Sequence, residues 1–129
     1  MTSKILIVDD EPNILILMAQ ALEALEDEGV ELLTAKNGEE ALNLIRTEQP
    51  QLVFLDVMMP KLSGLEVCAA VKADSNLQNV YVIMLTAKGQ EFDKQRGSDV
   101  GADLYMTKPF RPKVVLEKAL EVLGLSIPG

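Results

Sequence analysis

The chain has 129 residues, 48% hydrophobic and 25% charged, with 20 acidic against 12 basic side chains and a formal charge of −8. That length suits one domain able to bury about two thirds of its unfolded surface in a single core, and the composition is globular. The acidic balance argues against direct nucleic-acid or anionic-membrane binding by this domain, the absence of histidine excludes Ser-His-Asp and Cys-His catalysis and the usual zinc sites, and one cysteine excludes an internal disulfide.

No basic-then-apolar leader precedes the first apolar run, and no run approaches the ~20 residues that cross a bilayer, so a cytoplasmic location is expected. Residues 4–8, KILIV, are the first of five short runs rich in Val, Ile and Leu. The others are ELLTA (31–35), QLVFLD (51–56), VYVIML (80–85) and ADLYMT (102–107). Runs of this length suit strands covered on both faces.

Helical patterns lie between them. Residues 12–29, PNILILMAQALEALEDEG, place Pro12 at a first helical position and Gly29 as a stop. Residues 37–50 offer Asn37 as a cap, and residues 63–74 set Ser63 and Glu66 at capping-box spacing. Residues 88–102, KGQEFDKQRGSDVGA, are interrupted by Gly97 and predict a weaker helix. Residues 111–124 close the pattern with Gly124 as the stop, and LSIPG after it reads as a tail or the start of a linker. Five βα units with short helical crossovers predict a single doubly wound domain over residues 1–125, with a five-stranded parallel sheet and residues 126–129 outside it.

In an open α/β sheet, ligands bind beyond the carboxyl ends of the strands. Those ends supply Asp9 and Asp10 after the first run, Asp56 after the third, Thr86 after the fourth and Lys108 after the fifth. Asp56 sits inside the apolar stretch FLDVMMP, where an unpaired charge costs several kcal/mol, on the order of its lost hydration. Three carboxylates at one rim repel each other, and a hard divalent cation with oxygen ligands, such as Mg²⁺, removes that repulsion. A carboxylate held beside such an ion can serve as a nucleophile toward phosphorus, with Lys108 as a second positive charge and Thr86 as a donor to a phosphoryl oxygen.

The stretches ILIVDDEPN, LVFLDVMMPKLSGLEV, VIMLTAKG and GADLYMTKPF resemble, in order, the four signature blocks of the receiver domain of two-component response regulators. The resemblance spans residues 4 to about 124 and implies the flavodoxin-like strand order 2-1-3-4-5. It implies that Asp56 is the phospho-acceptor, that Asp10 and Asp9 hold Mg²⁺ with Asp56 and the backbone carbonyl of Met58, and that Lys108 pairs with the phosphoryl group. Thr86 and Tyr105 match the family's switch pair. The implied donor is the phosphohistidine of a sensor kinase or histidine phosphotransfer protein. The implied readout face comprises the fourth helix, fifth strand and last helix, with a homodimer on phosphorylation or an effector as its partner. Leu104 departs from the family's second acid at that place.

Other readings compete. Asp9 and Asp10 could simply favour the start of the next helix, and Cys68 reads as a packed, unreactive thiol. An aspartyl phosphatase would carry a second acid two residues after its nucleophile, where this chain has Met58. A flavodoxin-like electron carrier needs a phosphate cradle after the first strand, where DDEPN repels phosphate. A receiver-like module that regulates a partner without phosphorylation is opposed by the intact acids, threonine and lysine.

Overall fold

Apolar runs that carry β-branched and aliphatic residues on both faces must be covered on both faces, and the chain achieves this with one sheet between two helical layers. A computed structural model describes residues 3–57, 59, 62–87, 101–108 and 111–125. Its strands are β1 (Lys4–Val8), β2 (Glu31–Ala35), β3 (Leu52–Asp56), β4 (Tyr81–Ala87) and β5 (Leu104–Lys108), all parallel, in the order β2-β1-β3-β4-β5. This is the expected α/β, flavodoxin-like order. The described helices are α1 (Pro12–Ala21), a single turn α2 (Glu23–Glu26), α3 (Gly38–Glu48), α4 (Gly64–Ala73) and α5 (Pro112–Leu123).

Period-two alternation divides the core. Leu6, Val8, Val53, Leu55, Val82 and Met84 pack with Ala41, Ile45, Val67, Cys68 and Val71 on the side of α3 and α4. Ile5, Ile7, Leu52, Phe54, Ile83 and Leu85 pack with Met18, Leu22, Val115 and Ala119 on the side of α1 and α5. Cys68 is fully buried, and its burial pushes the thiol up to about 11, with Lys72 opposing and Asp103 adding to the shift. A thiol in that state is inert, as the sequence suggested.

The helix ends follow the sequence signals. The Asn37 side chain accepts the Glu40 amide, Ser63 and Glu66 form a reciprocal capping box, Pro12 opens α1, and Gly124 ends α5 at φ 67°. Several strand ends shift by one or two residues, β4 among them, which runs on to Ala87, and two boundaries differ for a visible reason. The helix expected over 12–28 pauses at Leu22, whose φ of −101° and ψ of 4° leave helical space. Leu22 and Leu25 are both fully buried, while Glu23, Glu26, Asp27 and Glu28 stay in water. The fifth strand begins at Leu104 instead of 102, because Gly101 turns at φ 89° and Asp103 folds back onto Val82. The weak helix expected within 88–102 falls mostly outside the described residues, as do Met58 and the tail 126–129.

Two glycines hold the loop that follows Asp56. A Cβ at Gly64, the first residue of α4, would overlap the carbonyl oxygen of Asp56, and one at Gly38 would overlap the carbonyl oxygen of Leu62. Backbone therefore packs on backbone beneath the end of β3, and the Asp56 main chain has nowhere to retreat. Gly64→Ala is expected to destabilise the domain by about 2 kcal/mol, the scale of an overpacked core. Urea unfolding measures that loss, and the Asp56 amide resonance should shift with it; an unchanged midpoint and spectrum would show that the close approach is idle.

Candidate functional site

The sheet register brings the polar residues to one end. Val8, Leu55, Met84 and Tyr105 lie in one row across four strands. The next residues, Asp9 and Asp56, stand just past that row at the carboxyl ends of β1 and β3. Asp9 continues the ladder by donating its amide to the Ala35 carbonyl at 3.2 Å. Asp9 is fully buried, Asp56 is 6% exposed and Thr86 is 1% exposed, the three polar side chains buried among the described residues.

Lys108, the last residue of β5, joins the two acids. Its Nζ lies 2.7 Å from Asp9 Oδ2 and 3.3 Å from Asp56 Oδ1. Burial works against the charged amine, yet the hydrogen bond to Asp9 and the charges of Asp56 and Asp9 outweigh it, and the Lys108 pKa stands above the ordinary lysine value. While the two carboxylates are ionised, the lysine's contribution to stability is fully present below the unfolded lysine pKa and is lost as pH rises through the higher folded one. The other Asp9 oxygen, Oδ1, accepts the Glu11 amide at 3.0 Å. Asp9 thus shapes the turn into α1 without being its cap; the cap position is Glu11, which makes no side-chain capping bond.

Asp10 and Glu11 are exposed at the mouth, and one carboxylate oxygen from each of Asp9, Asp10 and Glu11 falls within 4.8 Å of the others. The sequence reading anticipated Asp9, Asp10 and Asp56 as the group that meets. In the structure Asp9 belongs to two sets, one with Asp10 and Glu11 and one with Asp56 through Lys108. Glu11 was missed, although the unbroken run Asp9-Asp10-Glu11 was the signal available.

Thr86 shares a sheet face with Val82 and Met84, and Tyr105 packs on the same core cluster. The partner of Thr86 on β5 is Thr107, which leaves Tyr105 as its diagonal neighbour on that face. Among the described residues the Thr86 hydroxyl has no hydrogen-bond partner. A buried hydroxyl in that state costs about 1–3 kcal/mol, so its position calls for a function. Met58 lies outside the described residues.

Residues 5–120 match the response regulator receiver domain family. The chain belongs to that family. It is 46% identical over 126 residues to the alkaline phosphatase synthesis transcriptional regulatory protein PhoP of Bacillus subtilis, covering 98% of this chain and 50% of PhoP. It is 43% identical over 125 residues to the phosphate regulon transcriptional regulatory protein PhoB of Pseudomonas aeruginosa, covering 97% of this chain and 53% of PhoB. The chain spans about half the length of these relatives. Among solved structures, the BeF3-activated DrrB receiver domain superposes with a TM-score of 0.83 at 35% identity, over 96% of this chain and 99% of that one. A chemotaxis response regulator of Vibrio cholerae gives 0.81 at 33% identity, over 95% and 99%. The receiver domain is a signalling module of two-component systems, switched by phosphorylation.

Within this receiver domain the Lys108 bridge is the charge balance of the rim. Removing the lysine leaves two buried like charges without their counter-ion, and breaking such a pair is costly. In buffer free of divalent cations, Lys108→Met is expected to lower unfolding free energy by about 2 kcal/mol at pH 7. Asp9→Asn in that background should return part of the loss, because it removes one of the stranded charges. A double-mutant cycle by urea unfolding checks this, and additive losses would refute the pairing.

Proposed function

We propose that Asp56 is the phospho-acceptor of this receiver domain and that its donor is the phosphohistidine of a sensor kinase or a histidine phosphotransfer protein. The observation that carries the reading is a nearly buried carboxylate at a strand's end with a lysine ammonium 3.3 Å away. An Asp56 oxygen attacks phosphorus, the phosphorus–nitrogen bond of the donor breaks, and the imidazole leaves with the bonding pair and takes up a proton. The side chain is consumed in forming the aspartyl phosphate and restored by hydrolysis. An acceptor role is favoured over a phosphatase because Met58 stands two residues after Asp56, where a phosphatase of this kind carries its second acid.

The donor set suits a hard dication: Asp9 and Asp10 stand together with Glu11, and Asp56 joins Asp9 across Lys108, carboxylate oxygens of the kind Mg²⁺ takes, to which the family resemblance adds the Met58 carbonyl. Bound there, Mg²⁺ would neutralise and orient the charge on the incoming phosphoryl oxygens. Lys108 pairs with the transferred group, for which its position beside Asp56 already prepares it. The Thr86 hydroxyl donates to a phosphoryl oxygen and so gains the partner it lacks. Tyr105, on the same sheet face, follows Thr86 inward. These contacts favour one of two conformations already in equilibrium.

The readout face is the one the family resemblance implies, the segment 88–102 together with β5 and α5, read by an effector domain, an effector protein or a second copy of the chain. Both PhoP and PhoB are named as transcriptional regulators. The acidic receiver would control such an output without itself touching nucleic acid. Among the described residues no helix is long and apolar enough to cross a membrane, and the reading requires none.

Incubation with acetyl phosphate and Mg²⁺ is expected to add one phosphoryl group, seen by intact mass. Asp56→Asn should take none, and chelation of Mg²⁺ should abolish uptake by the unmodified chain. Uptake that persists in Asp56→Asn would overturn the assignment. An unmodified chain inert to acetyl phosphate, and unchanged by beryllofluoride in its amide spectrum, would favour regulation without phosphorylation.

A further inference from the structure

The turn into β5 holds a second polar cluster, at the opposite end of the strand from Lys108. Asp103 donates its amide to the Val82 carbonyl at 3.0 Å, and the Val82 amide donates to Asp103 Oδ2 at 2.8 Å. One residue of β4 is thus held from both of its main-chain groups. The same Oδ2 accepts from Lys72 Nζ at 2.6 Å, and that ammonium also donates to the Val80 carbonyl at 2.9 Å. Lys72 comes from the last turn of α4. Gly101, at φ 89°, brings the chain so near that a Cβ there would stand 3.2 Å from Lys72 Cγ.

The location matters because β5 is an edge strand, paired only with β4. Its register is therefore set from one side. A slip of one residue would turn Tyr105 to the opposite face, and a slip of two would carry Lys108 about 7 Å along the rim. A partly exposed lysine–aspartate pair contributes little by itself. Here Asp103 also holds the β4 main chain at Val82, and Lys72 holds the Val80 carbonyl just before that strand, next to the Ile83–Leu104 pair where pairing with β5 begins.

We infer that Lys72 is a positioning residue for phosphoryl capture: through Asp103 it fixes the β5 register that delivers Lys108 to Asp56 and Tyr105 to the face of Thr86. The inference rests on the role proposed above for Lys108. It assigns work to a helix residue that touches neither the acids nor the phosphoryl group.

Lys72→Met and Lys72→Arg in the full chain test it, with three readouts: native-state amide exchange in β5, amide exchange in α3 as a control, and the rate of phosphoryl uptake from acetyl phosphate with Mg²⁺. Lys72→Met should speed β5 exchange about fivefold while α3 stays unchanged, and should slow uptake. Lys72→Arg, which keeps a donor to Asp103, should restore both. Unchanged β5 exchange, acceleration shared equally with α3, or an arginine variant no better than methionine would each overturn the inference. An unmodified chain that takes up no phosphoryl group fails the parent reading, and the register hold is then decided by exchange alone.

Discussion

The site depends on one electrostatic constraint: two carboxylates, Asp9 and Asp56, are buried at the end of a parallel sheet and share one lysine. Asp9 is tied on both oxygens, and the Asp56 carboxylate is held by Lys108 above a main chain that Gly64 approaches closely. In a medium of low effective dielectric such charges are tolerable only while a cation stays among them. The lysine belongs to β5 and the acids to β1 and β3, so the charge balance also staples the last strand to the middle of the sheet. The fold and the site are held by the same bond.

The alternation of the strands puts the rim acids and the Thr86–Tyr105 pair on opposite faces of the sheet. Asp9 and Asp56 continue the rows of Ile5, Ile7, Leu52 and Phe54, which face α1 and α5. Thr86 continues the row of Val82 and Met84 and shares its face with Tyr105, toward α4. On the proposed reading, a change at Asp56 reaches the other face through β4, whose Leu85 is paired with Asp56 and whose next residue is Thr86. Parallel strands with well-packed interiors transmit such a displacement as a shift of the whole element instead of absorbing it.

Much of this was legible from residues alone. The five runs, the helix caps at Asn37 and Ser63, the stops at Gly29 and Gly124 and the rim acids are local signals, each set by a neighbour within four residues. The Lys108 bridge was half legible: charge at strand ends predicts a meeting, but not that one lysine would hold Asp9 more closely than Asp56. The roles of Gly38, Gly64 and Asp103 were not legible. Each depends on a backbone approach from a residue distant in sequence, Leu62, Asp56 or Val82, and spacing carries no record of it. Leu22 was hidden for a related reason, since its helical propensity is good and only packing of two leucines on the sheet interrupts the helix.

The buried Thr86 hydroxyl fits a switch better than it fits a static core. Its lack of a partner among the described residues is a cost of about 1–3 kcal/mol carried by the resting fold. A bond to a phosphoryl oxygen removes that cost and adds a charge-assisted contact, stronger than a neutral one. Moving a two-state equilibrium from 1:99 to 99:1 takes about 5.5 kcal/mol of differential stabilisation. On the proposed reading, relief of one stranded hydroxyl would supply part of that sum, and Lys108, turning from Asp9 toward a dianion, would add to it. Neither contribution alone reaches the total, so a full switch needs the threonine and the lysine together.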